Sequence, residues 1–164
     1  MRRLVIFLFL FVMLASTDSD DYNPSGYFPI LMEREQLEKS VIYRETQEIV
    51  DPGKIYYKDG FIFLNEKYKG IHVIDNSNPS DPQNIGFINI PGCIDIAIKN
   101  TSLMADNAVD LVTVDIRDFP QIAVTSRIRN AFPESTPPGE TSIPYMFSSG
   151  NRPDNTIIVG WERQ

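Results

Sequence analysis

The fold is decided by a strand pattern that occurs twice, as Gly70-Ile71-His72-Val73-Ile74-Asp75 and, 40 residues later, as Asp110-Leu111-Val112-Thr113-Val114-Asp115. Both copies are rich in β-branched residues, which favour strands. The strands before them also correspond, because residues 58–65 match residues 99–106 at a spacing of 41. A proline-containing turn and one more strand follow each copy. Four strands per unit at a period near 40 residues are typical of a β-propeller blade.

The sequence therefore predicts an all-β chain with a partial β-propeller of about two four-stranded blades, preceded by a signal peptide and a short helix. Lys58-Asp59-Gly60 is a hairpin signal, since Asp-Gly tolerates the positive φ that such turns need. Six segments are predicted: a signal peptide (1–17), a flexible acidic tether (18–30), an N-terminal segment with a short helix at 33–39 (31–52), two repeats (53–131), a long loop (132–155) and the start of a third, truncated repeat (156–164).

The N-terminus predicts export. Arg2 and Arg3 precede an uninterrupted apolar run, Leu4–Leu14, and small residues follow it. A run of about 11 residues is too short to cross a bilayer, which takes about 20 helical residues. A buried core helix is the alternative, but the run has no amphipathic face. The pattern of charge, short apolar core and small residues favours a signal peptide.

Leu14-Ala15-Ser16 has the character of the segment that precedes the lipidated cysteine of a bacterial lipoprotein, but Thr17 stands at the acceptor position. A hydroxyl is a weaker nucleophile than a thiolate, so no lipidation is expected at Thr17. Either the acceptor cysteine has been lost or replaced, which we favour, or the protein is released in soluble form. With a lipid anchor the protein would lie at the outer membrane or cell surface; without one it would be periplasmic or secreted.

Charge and cysteine content exclude several classes of function. The formal net charge is −7 and the sequence has no basic patch, which argues against nucleic acid as a partner. Cys93 is the single cysteine, so neither an intrachain disulfide nor a cysteine zinc site can form. Its apolar neighbours favour a buried, unreactive thiol over a reactive one.

The two copies of the strand pattern resemble the LVIVD repeat, which occurs in bacterial and archaeal surface proteins. Residues 30 to 161 resemble a group of bacterial surface lipoproteins in that family, with no assigned activity. The resemblance implies a β-propeller fold and a surface location, and it implies no catalytic residues. Thr17 departs from the family pattern, as does the end of the chain at Gln164, because family members continue through further repeats.

Two blades alone would leave apolar faces and strand edges uncovered, which favours self-association. We expect a truncated piece of a longer protein rather than several chains that complete one ring.

Few residues suggest chemistry. His72 is the only histidine, so we expect a hydrogen-bonded structural role rather than catalysis or metal binding. Asp75 and Asp115 end equivalent strands before turns, where capping of backbone amides is favoured over cation binding. The stretch 75–78 lacks the glycine and the terminal glutamate of a calcium loop. Four aromatic residues could line a carbohydrate-binding surface, but packing in the core is the favoured interpretation: Tyr56, Tyr57, Tyr68 and Trp161.

These features favour a non-catalytic protein of the cell envelope with a binding or scaffold role, whose partner is a surface protein or a glycan. No cofactor is predicted, and a membrane is a partner only through a lipid anchor. The alternative is the N-terminal fragment of a propeller enzyme whose active site lies in C-terminal blades outside this sequence. A poorly folded structural remnant is the third hypothesis.

Overall fold

A computed structural model of the protein describes Asn23 and residues 25–163. The predicted signal peptide, Thr17 and the first part of the predicted tether lie outside the described residues. The described chain contains the following elements in order: β1 (Tyr27–Glu33), α1 (Arg34–Lys39), β2 (Ile42–Arg44), β3 (Pro52–Lys58), β4 (Phe61–Glu66), β5 (Gly70–Asp75), β6 (Gln83–Asn89), β7 (Ile96–Lys99), β8 (Ser102–Asn107), β9 (Asp110–Asp118), β10 (Gln121–Ile128), a 3-10 helix (Tyr145–Phe147) and β11 (Thr156–Arg163).

The strands form three antiparallel sheets, so the predicted all-β class is confirmed. The first sheet has the order β2-β6-β5-β4-β3, the second β10-β9-β8-β7, and the third consists of β1 and β11. Across the part of the chain that the structure describes, no helix is long and apolar enough to cross a membrane.

The first and second sheets have corresponding pairing registers. Phe61 lies opposite Asp75 in the first sheet, and Ser102 lies opposite Asp115 in the second. The spacing between corresponding residues of the two sheets changes from 41 to 40 because the loop between β8 and β9 is one residue shorter than the loop between β4 and β5. Residues 67–69 separate the paired Glu66 and Gly70, whereas only residues 108–109 separate Asn107 and Asp110.

The hairpins show why local sequence determines these strands. Asp59 and Gly60 both have positive φ, 51° and 84°, as the predicted two-residue turn requires. The φ of Gly70 is 149°, and a Cβ there would lie 2.1 Å from the carbonyl oxygen of Ile88. Gly70 therefore allows β5 to approach the neighbouring β6 closely.

The first two sheets stack front to back. We call the face that carries the cross-strand pair Phe63–Val73 the front of the first sheet. The corresponding pair in the second sheet is Met104–Thr113, which defines its front. The core, however, joins the front of the first sheet to the back of the second, where Leu103 and Val114 are fully buried. Each large aliphatic side chain buried in this way contributes about 1.5–3 kcal/mol.

The N-terminal segment is tied to both larger sheets. Helix α1, which confirms the predicted helix, buries Leu37 and begins with Arg34. Arg34 binds the fully buried carboxylate of Asp110, as does Arg127 from β10. Residues 45–51, which we call the strap, connect β2 to β3. The carboxylate of Glu66 holds the strap by accepting hydrogen bonds from the backbone N–H groups of Val50 and Asp51.

Two segments differ from the sequence-based expectation. Residues 27–30, predicted as the end of the tether, form the first half of β1 because they pair with β11. The loose alternation of apolar residues over 42–49 predicts an extended segment, but the regular pairing of this segment stops at Arg44. The partner of β11 is β1, and Trp161 lies opposite Pro29.

Candidate functional site

A large cavity lies on the front of the second sheet, and we call it the front cavity. Its volume is about 750 Å3. Four parts of the chain border it: the link between the first two sheets (residues 90–95), strands β7–β9, the start of the 132–155 loop and β11. The lining is mainly apolar: Gly92, Ile94, Asp95, Ile96, Ala97, Met104, Ala105, Asp106, Ala108, Leu111, Phe132, Pro133, Glu134, Ser135, Thr136 and Ile158. Its size and apolar character fall within the usual range of ligand sites.

Small residues shape one wall of the front cavity. Gly92 has a φ of 81°, and a Cβ there would lie 2.6 Å from the backbone of Ala108. The backbone N–H of Gly92 donates to the carbonyl of Tyr68, and the backbone N–H of Phe132 donates to the carbonyl of Val109. The chain therefore leaves each of the first two sheets past the corresponding hairpin of that sheet, β4–β5 in the first and β8–β9 in the second. After the second sheet it runs along the front cavity, where Ile94 and Phe132 are each 41% exposed.

Asp106 is the main polar group inside the front cavity. Its two carboxylate oxygens accept hydrogen bonds from the backbone N–H of Ile94, at 2.9 and 3.0 Å. One of them also accepts from the backbone N–H of Asp95 at 2.7 Å. Burial raises the pKa of Asp106, and it outweighs the backbone hydrogen bonds that lower it; the nearby negative charge of Asp95 adds to the rise.

The counterpart of Asp106 in the first sheet is Asn65, and both side chains hold the same link. Asn65 lies opposite Ile71, as Asp106 lies opposite Leu111. The amide nitrogen of Asn65 donates to the carbonyl of Cys93 at 3.2 Å. One short link is thus fixed by an amide from one sheet and a carboxylate from the other. The two side chains hold the link in opposite senses, because the amide of Asn65 donates to a carbonyl and the carboxylate of Asp106 accepts from backbone N–H groups.

The other carboxylates at the front cavity already have cationic partners. Lys54 binds Asp95, which lowers the pKa of Asp95 through a side-chain hydrogen bond. Arg152 binds Glu134. Among the described residues, no lysine, arginine or histidine lies within 4.0 Å of the carboxylate of Asp106. Asp106 therefore carries a partly buried charge that has backbone partners and no countercharge.

The two turn aspartates cap backbone amides, as predicted. Asp75 accepts a hydrogen bond from the backbone N–H of Ser77 at 2.8 Å, and Asp115 accepts one from Arg117 at 3.0 Å. The hydrogen bonds from Ser77 lower the pKa of Asp75. Within the described ranges, no group of three or more histidine, cysteine or acidic side chains could hold a metal ion.

His72 is a buried structural residue, which confirms the prediction. Its side chain is fully buried, its Nε2 lies 3.3 Å from Oε2 of Glu66, and its ring packs edge-on against Phe87. Cys93 is also buried, as predicted, and burial raises the pKa of its thiol well above the ordinary value. Neither side chain reaches solvent.

The four aromatic residues do not form one surface. The hydroxyl of Tyr56 donates to the carbonyl of Ile98 between the first two sheets, whereas Tyr57 is 62% exposed. Trp161 is 93% buried and packs against Phe147, and its indole N–H donates to the carbonyl of Ser135. Only Tyr68 and Trp161 line a common cleft. Core packing is thus confirmed for Tyr56 and Trp161.

Asp106 does not stand out as a site residue in the sequence. One feature of the sequence does point to it. The match between residues 58–65 and 99–106 aligns Asn65 with Asp106, so one repeat carries a charged residue where the other carries a neutral one. Comparison with models of protein families, with curated proteins and with solved structures finds no match to this chain.

Proposed function

We propose that this chain is an exported, non-catalytic β-propeller protein of the bacterial cell envelope, and that it binds a partner there through the front cavity. In this proposal the first and second sheets are consecutive blades related to the LVIVD repeat. The partner is a surface molecule, a protein or a glycan.

The front-to-back stacking is the observation that carries the proposal. Consecutive repeats in a solenoid or a propeller keep the same orientation, so that the front of one contacts the back of the next. The first two sheets contact each other in this way, with the pair Phe63–Val73 at the core and the corresponding pair Met104–Thr113 on the opposite side, the front of the second sheet. The loop after residue 132 and β11 cover this front only in part and leave an apolar cavity, which favours a binding role.

The state of the single histidine supports a non-catalytic role. General acid–base chemistry at neutral pH most often uses histidine, and that side chain must reach the substrate. His72 is fully buried and lies beside Glu66, the residue that holds the strap. It is therefore expected to contribute to stability rather than to a reaction.

Binding to isolated envelopes tests the proposed role. Purified protein is mixed with envelope fractions of the cells that make it, and bound protein is measured by sedimentation. Binding is expected to saturate and to be weakened by Ala97→Phe, because Ala97 is exposed and lines the front cavity. Ala123→Phe is the matched control, since Ala123 is an exposed alanine outside that cavity. Non-saturable binding, or equal loss in both variants, would refute the role.

Export has a separate test. Cell fractionation, with a mass measurement of the mature N-terminus, is expected to find the protein outside the cytoplasm and without residues 1–17. A cytoplasmic protein that keeps Met1 contradicts the proposal, and an acylated N-terminal residue contradicts the interpretation of Thr17.

A further inference from the structure

We propose that the occupant of the front cavity is an extended segment of a partner protein that presents one lysine or arginine between apolar side chains, and that Asp106 binds this basic group. The inference rests on the proposed binding role and names the chemistry of the partner.

The charge of Asp106 is the first step. A partly buried carboxylate is costly unless it is paired, and its charged form is disfavoured when a second carboxylate lies nearby. Asp106 has Asp95 as a neighbour and no cationic partner among the described residues within 4.0 Å. Its counterpart Asn65 donates to a carbonyl of the link, whereas Asp106 accepts from two backbone N–H groups there. These neutral donors supply no countercharge, so the countercharge is expected to come from the ligand.

The wall around Asp106 determines the rest of the ligand. Met104 and Leu111 lie on the same face of the second sheet as Asp106, and Ile94 and Phe132 are the exposed apolar side chains of the cavity. An ammonium or guanidinium group would bind the carboxylate, and flanking aliphatic side chains would bury these surfaces. Opposite charge combined with an apolar surround gives the cavity its specificity.

Side-chain contacts would hold an extended polypeptide at the front cavity. Among the described strands, β7 pairs only with β8, and Ile96 and Ala97 of this edge strand line the cavity. Its outward backbone groups are partly taken, because the Tyr56 hydroxyl donates to the carbonyl of Ile98 and the N–H of Ile96 donates to the carboxylate of Asp95. The occupant is therefore expected to bind through its side chains, and in an extended segment alternate side chains point to one face. A lysine with apolar residues two positions before and two positions after it would place all three side chains in the cavity.

The test uses two peptides that differ only in charge, acetyl-Leu-Thr-Lys-Thr-Leu-amide, whose leucines lie on the same face as the lysine, and its analogue with norleucine in place of lysine. Isothermal titration calorimetry with the purified protein at pH 7.5 is expected to show about tenfold tighter binding of the lysine peptide, as for one hydrogen bond to a charged group. Asp106→Asn should reduce this ratio to about one. Asp118→Asn is the matched control, because Asp118 is exposed and outside the cavity, and it should keep the ratio.

The pH dependence gives a second readout that needs no variant. As the pH falls through the raised pKa of Asp106, the carboxylate becomes neutral while lysine stays charged, so the affinity of the lysine peptide should fall toward that of the norleucine peptide. The other titratable or charged groups near Asp106 are Cys93, Tyr68, Asp95 with Lys54, and Glu134 with Arg152. The thiol of Cys93 stays neutral over this range because burial raises its pKa.

Several results would overturn the inference. Equal affinity of the two peptides for the unmodified protein, or an unchanged ratio in Asp106→Asn, would remove the basic group from the proposal and leave the binding role intact. Absence of binding by both peptides, or Asp106-independent binding of a neutral oligosaccharide in the cavity, would exclude the peptide. Weaker binding of both peptides to Ala97→Phe, with Ala123→Phe unaffected, would support the assignment of the cavity.

Discussion

Asp110→Asn is expected to lower the free energy of unfolding by about 3 kcal/mol. Asp110 is fully buried, and its carboxylate accepts two hydrogen bonds of 2.8 Å from Arg34 and one of 2.8 Å from Arg127. The backbone N–H of Asn130 donates a fourth, at 3.0 Å. The asparagine keeps the shape and loses the charge, which leaves two guanidinium groups close to each other without their shared carboxylate.

The magnitude follows from burial. Removing one partner of a buried ion pair costs about 3–5 kcal/mol. The lower end applies here because the Arg34 side chain is 24% exposed and can be hydrated when the carboxylate is lost. For a domain of this size the change lowers the Tm by about 10 °C. Urea denaturation at pH 7 measures the free energy, and calorimetry measures the Tm.

The effect should depend on pH with a defined sign. Burial raises the pKa of Asp110, but the hydrogen bonds from Arg34, Asn130 and Arg127 outweigh it, so the pKa lies below the ordinary 3.8. A group whose pKa is lowered on folding stabilises the protein above its unfolded pKa, and this contribution is lost as the pH falls through the folded pKa. The difference between wild type and Asp110→Asn should therefore be full at pH 7 and shrink as the pH falls below about 4.

A matched control separates this ion cluster from a general charge effect. Glu35→Gln removes an exposed carboxylate that binds Lys39 one helical turn away, and it should change the stability by less than about 0.5 kcal/mol. Two results would contradict this account of the Asp110 ion cluster. One is a loss in the free energy of unfolding of less than about 1 kcal/mol in Asp110→Asn at pH 7, and the other is a loss that is the same at pH 3 as at pH 7.

Three further predictions concern the strap, a close backbone approach and the thiol. Glu66→Gln should raise the hydrogen-exchange rates of the Val50 and Asp51 amides about tenfold, because these amides donate to the charged carboxylate; unchanged rates measured by NMR would show that the strap is held otherwise. Since hydrogen bonds from Asp51, Val50 and His72 outweigh burial and lower the pKa of Glu66, the same loosening should occur in the wild type as the pH falls below about 4. Gly70→Ala should cost at least 3 kcal/mol in urea denaturation, about the cost of severe overpacking, whereas Gly139→Ala, which meets nothing within 4 Å, should cost about 1 kcal/mol for its positive φ; similar losses would contradict the close approach to Ile88. Cys93 should react with a thiol reagent only at the rate of unfolding, so rapid labelling under native conditions would contradict its burial.

The local elements were predictable because their determinants lie within a few residues. The β-branched run in Gly70–Asp75 and the Asp59-Gly60 turn specify a hairpin through intrinsic strand preference and positive φ. The capping by Asp75 was predictable for the same reason, because its partner Ser77 is two residues away. The structure adds bounds and register to these features, and it leaves their identity unchanged.

Long-range partners were not predictable from the pattern. The carboxylate of Asp110 is bound by Arg34, 76 residues away, and neither residue stands out in the sequence. The pairing of β1 with β11 joins the two ends of the described chain, where the composition around Pro29 indicates a loop. The front cavity depends on the second of these features, since Ile158 of β11 lines it. A site assembled by such contacts has no local sequence signature.

Residues at corresponding positions of the first and second sheets can be compared. A feature found in both sheets reflects the shared fold, and a feature found in one reflects the surroundings of that sheet. Gly70 and Asp110 begin equivalent strands, yet one admits a neighbouring backbone and the other binds two arginines. The strand start therefore requires neither a glycine nor an acid, and each residue reflects its surroundings. Asn65 and Asp106 differ in another way, because both hold the same link but the amide of Asn65 donates to a carbonyl and the charged carboxylate of Asp106 accepts from two N–H groups. At Gly70 and Asp110 the neighbours explain the difference, whereas no cation among the described residues lies close enough to explain the charge of Asp106. The carboxylate of Asp106 is therefore the group that a basic side chain of a partner can pair with.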